Sequence, residues 1–132
     1  MTGLTEEQAA FAFAKAWNRL EPDDFLALLA PNACYASQWV FEELAGAAEI
    51  AKYLRGKMDT VRAHSVGNPD SKLQVEIGRN AHGSRPCAFM TQGQGGDVQA
   101  TVVFDVAGGK IQRYDLCIPQ IMGGVRTGIY PV

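Results

Sequence analysis

Apolar positions recur along this chain with two different periods, and the change of period divides it into a helical half and a strand half. Phe13, Trp17 and Leu20 follow one another at helical spacing, with Ala9, Ala10, Ala14 and Ala16 between them. Thr5 and Gln8 form a capping-box pair ahead of that run, and Glu6 and Glu7 suit the positive end of a helix dipole. A first helix is predicted over about 5–20. Pro22, Asp23 and Asp24 read as a second helix start, and Phe25, Leu26, Leu28 and Leu29 make that helix short and buried. Pro31-Asn32 is read as its stop. The next stretch, about 33–41, is aromatic or β-branched at several positions and reads as a strand. Around Leu44 and Gly46 the period changes again. Ile50, Leu54, Met58 and Val61 form a helical stripe, with Glu49, Lys52, Arg55 and Lys57 off it, and predict a third helix over about 46–63.

Beyond Asn68 the texture is β. Leu73, Val75 and Ile77 alternate with Gln74 and Glu76, the pattern of a half-buried strand. Asn80, Gly83 and Ser84 mark a turn, Pro86 opens another strand, and Gln94-Gly95-Gly96-Asp97 marks the next turn. Val98 to Val106 and Ile111 to Ile118 are strands joined by the hairpin turn Ala107-Gly108-Gly109-Lys110. The tail, Pro119 to Val132, suits an edge strand or a swapped arm. Helices first and a four-stranded antiparallel meander after them describe an α+β domain: a curved sheet with helices on one face. If the helices leave the curve unfilled, an apolar cavity remains.

Composition narrows the function classes. A chain of 132 residues suits one domain, and 47% apolar with 20% charged residues is globular in character. The net charge of −2 comes without a Lys/Arg cluster, so nucleic acid is not an expected partner. Apolar runs fall far short of the roughly 20 residues of a membrane span, and the first residues lack a basic segment ahead of an apolar one. Cys34, Cys87 and Cys117 are odd in number and widely spaced, as expected for reduced, buried thiols in a cytoplasmic protein. His64 and His82 are distant from each other and expected at the surface, so neither a metal site nor a cofactor is expected.

Several scaffold segments carry a likeness. They are Phe13 to Asn18, Asp23 to Ala33, Leu44-x-Gly46 with Ile50 and Leu54, and Gly109-Lys110-Ile111. In their order and spacing, over residues 5 to 118, the chain resembles the nuclear-transport-factor-2-like superfamily, in its SnoaL-like and ketosteroid-isomerase-like branch. The resemblance implies a cystatin-like cone, with the curved antiparallel sheet wrapped around three helices of the N-terminal half. It also implies a homodimer through the outer face of the sheet. Isomerases of this kind use a tyrosine, an aspartate base and a protonated aspartate. Anchored on Asn18, Ala33 and Lys110, those places hold Phe13, Ser37 and Thr101. The His and Asp that cyclase relatives carry on the last strand are replaced by Tyr114 and Leu116. The relatives' chemistry therefore does not transfer.

Strand parity supplies the candidate site. Tyr35, Ser37, Trp39 and Phe41 share one face, and Gln112, Tyr114, Leu116 and Ile118 share another. Ile111, Arg113, Asp115 and Cys117 then point outward, where a dimer would form. Asp115 would turn inward only past a one-residue bulge. Trp17, Tyr35, Ser37, Trp39, Tyr53, Tyr114 and Leu116 are the candidate ligand-binding residues, an aromatic lining with few polar atoms. The leading expectation is a small apolar molecule held inside the cone, with no catalysis assigned. The alternatives are an isomerase, cyclase or dehydratase using Tyr114 or Glu42, and a dimeric interaction module with a filled cone.

Overall fold

A computed structural model describes residues 3–37, 43–65, 73–79, 85–92, 98–117 and 125–132. Helix α1 spans Glu6–Arg19. Its start is the capping box read from the sequence: Gln8 N–H donates to Thr5 Oγ1 (3.1 Å) and Thr5 N–H to Gln8 Oε1 (2.9 Å). Its end is Leu20, which adopts a left-handed φ of 55° so that its N–H reaches back to the carbonyls of Ala16 and Trp17. The Leu20 carbonyl is taken by the Arg62 guanidinium of the third helix. Phe13, Ala14, Trp17 and Asn18 lie on the buried face of α1.

The second helix is shorter than expected. Helix α2, Asp23–Leu26, is a single turn that buries Phe25. The chain is already a strand at Leu29, because the Ile111 N–H donates to Leu28 O (2.8 Å) and Leu29 sits opposite Ile111. Strand β1, Leu29–Ser37, therefore starts at Leu29 rather than 33, and the rest of the expected strand, 38–41, lies outside the described residues. Pro31-Asn32, read as a helix stop, falls in the register shift between Leu29 and Cys34. Proline is tolerated there because no ladder hydrogen bond needs its missing N–H. Strand β2, Leu44–Ala45, pairs with β1. Gly46, at φ 99°, turns the corner. Its N–H donates to Ala33 O (2.7 Å) and its carbonyl accepts from Ile50 (3.1 Å), which opens α3, Ala47–Ser65. Ile50, Leu54 and Met58 are buried and Val61 half-buried, so the predicted stripe is the packed face.

The remaining strands are β3 (Leu73–Arg79), β4 (Pro86–Gln92), β5 (Val98–Ala107), β6 (Lys110–Cys117) and β7 (Val125–Ile129). They lie in the order β2-β1-β6-β5-β4-β3-β7. Neighbours are antiparallel except β1 and β6, which run parallel, so the expected antiparallel sheet is mixed at one seam. The tail supplies an edge strand. Gly108 and Gly109, at φ 62° and 75°, make the β5–β6 hairpin with the two positive angles that a tight turn of matching twist requires. Helix α1 packs over β3, β4 and β5, and α3 over β1.

A bulge corrects the parity of β6. Asp105 is opposite Arg113 but Val106 is opposite Ile111, so Gln112 is the extra residue. Gln112 does not face inward as expected; its amide donates to Ala107 O (2.9 Å). Ile111 turns into the core and is fully buried, which removes it from the outer face offered to a partner copy. The bulge lies upstream of Asp115 and leaves that carboxylate outside, where Arg113 Nη2 meets its Oδ1 at 2.9 Å. Arg113 also reaches Glu43. Thr101 is opposite Phe89 and Cys117, on the face away from buried Val102 and Phe104, so it cannot stand for an inward-facing acid.

The largest departure from the alternation pattern is Glu76. It points to the side opposite Val75, as expected, yet is 1% exposed. Strand β7 covers it: Arg126 pairs with Oε1, and Gly128 N–H donates to Oε2 at 2.6 Å. Phe89 and Thr91 are buried on the same side. A Cβ on Gly78 would overlap the Phe89 ring and the Val125 carbonyl, which is why this strand position is glycine. Of the three thiols, Cys87 is buried as expected, but Cys34 and Cys117 are only half-buried. His64 is exposed; His82 lies outside the described residues. Among the described residues, no helix is long and apolar enough to cross a membrane.

Candidate functional site

The sheet curves around an aromatic cluster that stops short of filling it. Phe25 packs edge-on against the Tyr114 ring (5.3 Å, 90°), and Phe13 lies 5.8 Å from the same ring. Tyr35 stacks on Tyr114 at 4.4 Å, because β1 and β6 place the two residues directly opposite each other. Tyr53 of α3 approaches Tyr35 from the other side, with 5.7 Å between ring centroids. Beyond this stack lies a cavity of about 260 Å³.

Trp17 from α1, Tyr35 and Ser37 from β1, Tyr53 from α3, and Tyr114 and Leu116 from β6 all line that cavity. Trp39 and Glu42, both named from the sequence, lie outside the described residues. The sequence reading left six further wall residues out of the site: Phe13, Leu54, Lys57, Val61, Leu73 and Met90. Phe13 had a signal, since it stands where related isomerases carry a tyrosine. Lys57 had one too, being one helical turn beyond Tyr53, but its charge places it off the apolar stripe.

The polar atoms of the wall are unequal. Tyr35 is hydrogen-bonded to Ser37 and Tyr53. The Trp17 indole N–H and the Tyr114 hydroxyl are buried without any partner among the described residues. Such groups cost roughly 1–3 kcal/mol each when nothing meets them. Burial is the main cause that holds the Tyr114 phenol well above its ordinary pKa, and the neighbouring Tyr35 and Tyr53 add to it. Burial likewise raises Tyr35, against a lowering contribution from Ser37. Both phenols therefore keep their protons at neutral pH. Tyr114 is a hydrogen-bond donor there and a poor base. Among the described residues, no group of three His, Cys, Asp or Glu side chains could hold a metal ion.

The fold has known kin. The model of the SnoaL-like domain matches residues 10–114. The chain belongs to the SnoaL-like family. Solved structures agree on the fold of this SnoaL-like chain. An uncharacterised cystatin-fold protein from Novosphingobium aromaticivorans is 18% identical, with a TM-score of 0.55 over 86% of this chain and 98% of its own. A candidate polyketide cyclase from Pseudomonas putida is 22% identical, with a TM-score of 0.55 over 86% and 91%. A candidate ketosteroid isomerase from Kribbella flavida is 17% identical, with a TM-score of 0.55 over 96% and 87%. No curated protein matches the chain. At these identities the likeness establishes the architecture, while function rests on the site.

Proposed function

We propose that this SnoaL-like protein binds a small, mainly apolar molecule inside its cone and holds an oxygen acceptor of that molecule with Trp17 and Tyr114. The observation that carries this reading is that Trp17 and Tyr114 both line the cavity and carry buried donors without partners among the described residues. An apolar ligand surface replaces water against Phe13, Leu54 and Met90, while a carbonyl or hydroxyl oxygen relieves the two donors. The cavity is near the small end of ligand sites, so the body of the ligand is no larger than one or two rings. The described wall orients a ligand through donors. A base of the relatives' aspartate kind has no counterpart at Ser37, and Tyr114 keeps its proton.

The test uses benzylacetone, a neutral aryl ketone, and its hydrocarbon analogue butylbenzene. In a Trp39→Phe background, Trp17 reports occupancy by fluorescence. The expected result is saturable, sub-millimolar binding of the ketone, tighter than that of the hydrocarbon and weakened in Tyr114→Phe. Equal binding of the two compounds, or no saturable change with either, would overturn the assignment of the two donors.

A further inference from the structure

The mouth of the cavity has a chemistry different from its floor. Tyr53 and Lys57, one turn apart on α3, line the cavity and also the open groove outside it, which marks them as its rim. Lys57 Nζ stands 5.8 Å from the centre of the Tyr53 ring, over its face. The ring draws the ammonium across the opening by a cation–π attraction and leaves its hydrogens for a further partner. Among the described residues no carboxylate lies within 4.0 Å of it to form an ion pair. The outer groove also carries Lys52 and one opposing charge, Glu49, so its described charges sum to a positive rim. Away from this rim, the lining includes two buried neutral donors, the Trp17 indole and the Tyr114 hydroxyl.

We infer that the ligand of this cavity is an amphipathic acid: a compact apolar body with a carbonyl at the Trp17–Tyr114 end and a carboxylate at the rim against Lys57. The inference rests on the binding reading above and adds the anion to it. A neutral acceptor suits the floor, because the one cationic side chain of the described wall, Lys57, stands at the rim and a charge buried beside Trp17 and Tyr114 would meet only neutral groups. An anion suits the rim, where it stays partly hydrated while meeting the ammonium. The exposed position of Lys57 limits the gain to that of a surface ion pair.

The probe pair is benzoylpropionic acid and its methyl ester, which share ring and ketone and differ in the charge. Titrated at neutral pH and low salt, the acid should bind about three- to five-fold tighter than the ester, the scale of one exposed ion pair. That preference should shrink as salt is added. Lys57→Gln should bring acid and ester to the same affinity. Lys15→Gln, which removes a charge outside the cavity lining, should leave the preference in place and so separates a rim contact from the net charge of the protein. Ester binding equal to or tighter than acid binding in the unmodified protein would overturn the anionic ligand while the binding reading stands. A preference for the acid that persists in Lys57→Gln would overturn the role of Lys57. Binding of neither compound would overturn both readings together.

Discussion

Two pairs of buried polar groups in this molecule have been treated in opposite ways. Asn18 and Glu76 are fully engaged. The Asn18 amide donates to Val75 O (2.8 Å) and to Pro131 O (2.7 Å), and its oxygen accepts from Val75 N–H (2.8 Å). It joins α1, β3 and the C-terminal residues in one contact. Glu76 takes the Arg126 guanidinium and the Gly128 N–H, and so fastens β7 to β3. Trp17 and Tyr114 are also buried, but their donors meet nothing in the described protein. The first pair completes the fold. The second pair remains open to a molecule that is not part of the chain. Burial alone therefore does not identify a functional polar group; burial beside a cavity with the hydrogen bond left unmade does.

The strongest way to break the comparison is to remove a fastener. Asn18→Ala strips one amide N–H and two carbonyls of a buried partner. It should lower unfolding stability by about 3 kcal/mol, several partial desolvation penalties acting together. Urea titration reads this directly. A loss under about 1 kcal/mol would place Asn18 with the dispensable groups. Glu76→Gln should cost less, about 1–2 kcal/mol. The amide oxygen still accepts one of the two hydrogen bonds while its NH2 faces the other donor and the charge is lost, but the 36% exposure of the Arg126 side chain softens the loss. The damage should be local, with faster hydrogen exchange at the Gly128 amide than at Val75. Equal acceleration at both would mean that β7 is not held by this contact.

These fasteners were the part of the fold least legible in the sequence. The capping box at Thr5, the α3 stripe and the Gly108-Gly109 hairpin are local patterns, and each residue's partner lies within a few positions. Glu76 alternates correctly with Val75, which predicts a solvated carboxylate. What buries it is Arg126, fifty positions away on a strand that covers the outer side. The parallel seam between β1 and β6 is likewise non-local, and it pulled the start of β1 back to Leu29 against the local reading of Pro31 as a helix stop. Cavity residues were legible where two-residue parity held, as at Tyr35, Ser37, Tyr114 and Leu116. Parity failed at Ile111 and Gln112, because nothing in the residues announces a bulge. Lys57 is not legible as a wall residue because a charge off the apolar stripe reads as open solvent, whereas a rim is wet on one side and walled on the other.

A titration sharpens the contrast by comparing protic groups on the two sides of the sheet. Burial pushes the Cys87 thiol up to about 12, against a small lowering from Arg79. Burial also raises the phenols of Tyr35 and Tyr114. In each case the folded chain keeps a proton that the unfolded chain releases at the ordinary value. The unfolded state then binds fewer protons, and stability falls as pH rises. The contribution is fully present below about pH 8.5, where the unfolded thiol begins to ionise, and is lost progressively toward pH 12. The thiol alone should cost about 1 kcal/mol by pH 9.5. The urea midpoint should decline above about pH 9, and more shallowly in Cys87→Ala. An unchanged slope in that variant would assign the alkaline loss to the other raised groups, the cavity tyrosines and the Cys117 thiol.

The smallest expected effect on stability discriminates most. Tyr114→Phe deletes only the hydroxyl that has no partner among the described residues and keeps the ring that packs between Phe25 and Tyr35. Because no hydrogen bond is lost, the folded protein should change by less than about 0.5 kcal/mol in urea titration, and a small gain is consistent with removing an unmet polar group. Ligand binding should move the other way. A ketone that accepts from this hydroxyl should bind more weakly by about 0.5–1.5 kcal/mol, the net worth of one hydrogen bond. Asn18→Ala gives the inverse pattern, a large stability loss with the donors of the cavity still in place. If Tyr114→Phe instead destabilised the protein by 2 kcal/mol or more, its hydroxyl would have a partner inside the fold. Tyr114 would then belong with Asn18 and Glu76, and the cavity would lose one of the two donors on which the binding reading stands.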